Sequence, residues 1–204
     1  MAVRKDQIYL QALMDAERPA RMVGLFTGHA MKPPDLQRLV NACLGSMRQE
    51  DRGASLTLAP LGSGSLQGAA QRTWRITVAG TAESAPHDCL VQVFEMRDPE
   101  SPHRALLDHI GGRDQELSQA ASHLQQNALT YVSIASGKLD DQERIHPFQN
   151  LVSLFASALG AAIVDPAAAI VTPAAAIVTN DPGEWADAME QSLQIEKEMG
   201  ALRR

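Results

Sequence analysis

An α+β fold, with a mixed and mostly antiparallel sheet and helices largely on one face, is predicted by three features of this 204-residue chain. The first is a run of three strand patterns without a helix between them, which favours a meander over a doubly wound parallel sheet. The second is helical periodicity confined to segments before and after that run. The third is the stretch 127–182, where an apolar strand, a polar loop, an apolar helix and a small-residue near-repeat follow one another.

Taken in order, residues 5–17 carry Ile8, Leu10, Leu13 and Met14 at partly helical spacing, so residues 1–20 read as an N-terminal helix or arm. Residues 21–204 then read as one α+β domain. Met22–Thr27 (MVGLFT) is an apolar run stopped by Gly28 and is assigned as the first strand. Pro33, Pro34 and Asp35 introduce a helix whose stripe is Leu36, Leu39, Val40, Cys43 and Leu44, ending near Arg48.

The meander follows. Leu56 and Leu58 alternate with polar or small residues, and Trp74, Ile76 and Val78 alternate with Arg75 and Thr77. Residues 89–94 (CLVQVF) are apolar on nearly both faces, as in a central strand. Asp98, Pro99 and Pro102 lead into a helix with Leu106, Leu107 and Ile110, broken at Gly111 and Gly112. A second helix over 114–125 turns Leu117, Ala120, Ala121 and Leu124 inward. Strand 129–134, the charged loop GKLDDQER and a helix beginning at Pro147 come next.

AAIVDPA, AAIVTPA and AAIVTND then succeed one another at a seven-residue step, with Pro166 and Pro173 between the copies. Two prolines in three short units exclude a coiled coil. A solenoid repeat is normally about 20 residues or longer. The copies are therefore expected to supply short strands and turns, with Asp181 capping a last helix that carries Trp185, Met189, Leu193 and Glu196 along one side.

Composition narrows the function classes. An apolar share of 45% supplies a core, but aromatics are only 4%, so Leu, Val, Ile, Ala and Met must fill it. The net charge of −6 disfavours nucleic acid, which calls for a clustered Lys/Arg face, and Arg203–Arg204 is no such face. No window offers the ~20 apolar residues of a membrane span. The first 20 residues lack the apolar core of a secretory signal. A soluble cytoplasmic protein is expected. Cys43 and Cys89 have no ligand spacing and read as buried free thiols.

The chemical candidates are incomplete. The histidines, at 29, 87, 103, 109, 123 and 146, include no i, i+4 pair and read as surface or capping groups rather than metal ligands. His87 and Cys89 share one side of a strand, but no oxyanion-stabilising pattern accompanies them. Gly62, Gly64 and Gly68 lack the lysine and the strand–loop–helix context of a phosphate loop. Asp140, Asp141 and Glu143 lack the glycine and terminal glutamate of a calcium loop. Asp98, Glu100 and Asp108 form no acid–base pair. No catalytic, cofactor-binding or metal-binding residue is therefore assigned, and no cofactor is expected.

The succession of His123–Leu124, LTYVSI, an acidic loop, FQNLVSLFASAL and GAAIVDP, over residues 118–182, resembles bacterial α+β domains of unknown function. The resemblance implies a fold class and a bacterial source, but no activity and no catalytic residue. The functional expectation is a non-enzymatic protein acting through protein–protein contact, such as an adaptor, a secretion-accessory factor or an immunity-type binder. Its partner is expected to be another protein or a second copy, not nucleic acid or membrane. The rival expectation is a small-molecule-binding or hydrolytic domain whose site gathers His87, Cys89, His123 and the acidic loop.

Overall fold

The structure, a computed structural model, describes residues 20–31, 35, 38–39, 41–42, 55–60, 73–79, 87–99, 101–112, 115–139, 142–166 and 178–202. Its strands are β1 (Ala20–Thr27), β2 (Ser55–Pro60), β3 (Thr73–Ala79), β4 (His87–Glu95), β5 (Thr130–Lys138), β6 (Ala162–Val164) and β7 (Val178–Thr179). The helices with described bounds are α1 (His103–Gly111), α2 (Gln115–Asn127), α3 (Gln142–Leu159) and α4 (Pro182–Leu202). Asp35, Arg38, Leu39, Asn41 and Ala42 are also helical, as the Pro-Pro-Asp start predicts, and Leu39 packs against the core. The N-terminal arm, Cys43 and the Gly62–Gly68 segment lie outside the described residues.

The fold is α+β. One sheet runs β2-β3-β4-β5-β1-β6-β7, and each neighbouring pair is antiparallel, so the sheet is antiparallel throughout rather than mixed. β2, β3 and β4 form the expected meander. The first strand is central: β5 and β6 flank β1 and both run opposite to it, hence parallel to each other. Two parallel strands need a crossover, and α3 supplies it.

Strand alternation sorts the core into two layers. Val23, Leu25, Val91, Val93, Val132, Ile134 and Ile163 face α3 and α4, where Phe148, Leu151, Phe155, Trp185 and Met189 complete the larger cluster. Phe26, Tyr131, Ala162 and Val164 face the other way, against Leu106, Leu107 and Ile110 of α1 and Ala121 and Leu124 of α2. The helices with described bounds therefore do not lie largely on one face: α3 and α4 cover one side of the sheet and α1 and α2 the other, because both faces of its strands are apolar and need covering. Helical periodicity shows which side of a helix is apolar but not which side of the sheet it meets.

Element boundaries shifted where tertiary partners intervened. α3 starts at Gln142 and carries Pro147 inside it, rather than starting there. A proline in the second turn removes only one hydrogen bond near the helix N-terminus, and Ile145, two residues before it, is buried. The polar loop is shorter to match, because β5 runs on through Gly137 and Lys138. α3 ends at Leu159 and is followed by Gly160, whose φ of 54° is the left-handed conformation glycine adopts freely. The Ala161 N–H then donates to the Ala156 carbonyl at 2.9 Å. In the near-repeat, the first copy forms β6 and the third copy returns beside it as β7. The second copy lies outside the described residues.

Candidate functional site

Polar groups that the fold buries are the places where chemistry or specificity can reside, since each costs free energy unless partnered. Two such clusters stand on opposite sides of the sheet.

The first ties three elements together beneath α4. Arg21, near the start of β1, donates from Nε and Nη2 to Asp165 Oδ2 at 3.1 and 2.9 Å. Trp185, in the first turn of α4, donates its indole N–H to the same oxygen at 3.1 Å. Arg21 is 4% exposed, Asp165 0% and Trp185 1%, so the ion pair sits in the interior. Arg21 Nη1 is buried without a hydrogen-bond partner. A carboxylate oxygen that already accepts three bonds is poorly placed as a base or ligand. Its geometry suits a strut joining β1, the end of β6 and α4.

The second cluster lies under α1. His103, the first residue of that helix, is fully buried, with Nδ1 2.7 Å from the Ser101 hydroxyl and Nε2 unpartnered. Tyr131 is also fully buried, in ring contact with Phe26 at 4.9 Å, Phe94 at 6.1 Å and His103 at 6.2 Å. Burial pushes the Tyr131 phenol up to about 12, with the Ser133 side chain pulling the other way, so it is neutral at physiological pH. Burial also lowers the His103 imidazole below 6.5, helped by the neighbouring Arg104 and opposed by Asp98. Gly24 makes room for this cluster. A Cβ there would lie 2.8 Å from Tyr131 Cε2 and 2.9 Å from Leu106 Cδ2.

Of the residues singled out from the sequence, Cys89 and His123 are not brought together. Cys89 is 1% exposed in the core beneath α3 and α4. His123 is exposed on α2, across the sheet from it. His87 opens β4, and its side chain lies outside the described set, as do those of Asp140, Asp141 and Glu143. Histidines 29, 109, 123 and 146 are exposed, in keeping with surface roles. His103 departs from that expectation. Its i+3 and i+7 partners Leu106 and Ile110 mark the inward stripe of α1, and that spacing was the signal for burial. The signal for Asp165 was subtler: a lone acid closing an otherwise apolar AAIV unit.

An open surface cleft of about 510 Å³ runs along the seam where α1 and α2 pack, with Arg104 and Asp108 on one wall and Ser118, Ser122 and Gln125 on the other. No group of three or more metal-ligating side chains occurs among the described residues, and no described helix is long and apolar enough to cross a membrane. At the sheet margin, β2 has a neighbour on one side only among the described residues, while β7 closes the other margin with two residues. Compared with protein-family models, curated proteins and solved structures, the chain matches none.

Proposed function

We propose that this is a non-enzymatic bacterial cytoplasmic protein that works by protein–protein contact, through strand addition at β2. The observation that carries the reading is the β2 margin, where six residues pair with β3 and, among the described residues, with nothing on the other side. A free edge offers a row of backbone donors and acceptors, and proteins usually guard such edges with lysine, charge or bulges. SLTLAP carries no charged residue. Its one guard is Pro60, at the very end.

A second copy of the chain suits this edge. Antiparallel pairing about a two-fold axis sets each β2 against its equivalent, with no charge to oppose the register. The sheet would then continue across the dimer. An adaptor, secretion-accessory or immunity-type role would build on such a dimer.

Native mass spectrometry with light scattering tests this. The wild type is expected to be dimeric, and Thr57→Lys, which sets two like charges near the axis, is expected to be monomeric with an unchanged circular dichroism spectrum. A wild-type protein that stays monomeric at high concentration would overturn the reading.

A further inference from the structure

We propose that the α1–α2 hairpin is an acid-operated flap: protonation of His103 releases it from the sheet and uncovers the aromatic face formed by Phe26, Phe94 and Tyr131. The inference stands apart from the edge-strand reading.

The geometry leaves no place for a second proton on His103. The ring is fully buried, Nδ1 is occupied by Ser101 at 2.7 Å, and Nε2 meets no acceptor. An imidazolium donates from both nitrogens, so one N–H⁺ would be left unpaired in the interior. Position makes this worse. His103 opens α1, where the helix dipole is positive and repels cations. The cap residue Pro102 makes no side-chain hydrogen bond, and the first turn holds no acidic residue.

The charged and titratable groups around the ring are Arg104 on its own helix, Asp98 in the turn after β4, and neutral Tyr131 on β5. On that face β1 presents Gly24 and Phe26, β6 presents Ala162 and Val164, and α2 presents Ala121 and Leu124. Asp98 alone favours the cation, and it is outweighed by burial and Arg104. The folded value is therefore depressed. Stability from neutral His103 is fully present above pH 6.5 and is lost as pH falls through the lowered folded value.

The loss falls on a discrete unit. A Cβ on Gly111 would sit only 3.4 Å from Ala121 Cβ, so α1 and α2 are closely packed and move together. α3 and α4 lie on the other face with their own core and hold no buried histidine among the described residues.

Hydrogen exchange of the full chain between about pH 7.5 and about pH 5, corrected for intrinsic rates, reads the flap directly. Opening constants of α1 and α2 amides are expected to rise below pH 6.5 by up to about tenfold per pH unit, with α3 and α4 unchanged. His103→Asn and His103→Leu should abolish that slope. A flat wild-type profile, a slope surviving in both variants, or joint loss of all four helices would overturn the proposal. Should the variants fail to fold, the His103 ring resonances of the wild type decide. They must titrate below pH 6.5 and in step with hairpin exchange, and titration at or above that value, or out of step, overturns it.

Discussion

Asp165 shows how much a single side chain can be asked to hold. It accepts from Arg21 and Trp185 with no exposure to solvent, so its removal leaves a buried guanidinium without its counter-charge. Breaking such a pair from one side costs about 3–5 kcal/mol, whereas replacing both partners by apolar residues of similar volume is often neutral. Asp165→Ala is therefore expected to lower the urea midpoint sharply, and Arg21→Met combined with Asp165→Leu to recover most of it. Equal losses in the single and double variants would show that the strut is not the source of the stability. The same reasoning separates the two buried clusters by function. Asp165 Oδ2 accepts from three donor atoms, while the His103 ring has Ser101 at Nδ1 and no hydrogen-bond partner at Nε2.

At the scale of the element, capping decides where helices begin and end. Asp181 Oδ1 accepts from the Gly183 N–H at 2.8 Å and the Glu184 N–H at 3.5 Å, and Pro182 stands first in α4, where its missing N–H costs nothing. Thr179 adds a bond from its hydroxyl to Glu184 Oε2 at 2.6 Å. Asp181→Ala should cost about 1 kcal/mol, read as a lower melting temperature, and Asp181→Ser should restore most of it. A cap is local, which is why Asp181 was legible from the sequence, as were Trp185, Met189 and Leu193 on the buried side of α4. The start of α3 was not. Pro147 resembles a first-turn proline, but burial of Ile145 and Phe148 against the sheet draws the helix back to Gln142.

For the whole molecule, charge and edge act against each other. Each copy carries a formal charge of −6, so two copies repel at long range while β2 brings no local charge to the contact. Screening shortens that repulsion, with a Debye length of about 30 Å at 0.01 M salt and about 10 Å at 0.1 M. Dimerisation is thus expected to strengthen as salt rises, measured by sedimentation. A contact held by cross-dimer ion pairs would weaken instead.

The sequence by itself determined the class of the fold, the meander, the cap at Asp181 and the apolar stripe of each helix. These depend on residues within one or two turns or on alternation along one strand, where chemistry and spacing are both visible. Only the tertiary structure decided that the first strand lies between β5 and β6, that the helices divide between two faces, and that Arg21 meets Asp165 across 144 positions. The histidines show the same divide. Six are alike in the sequence, and burial beneath one short helix sets His103 apart from the four that are exposed. Long-range pairing is selected by the free energy of burying whole faces together, a sum over many side chains that no local pattern records.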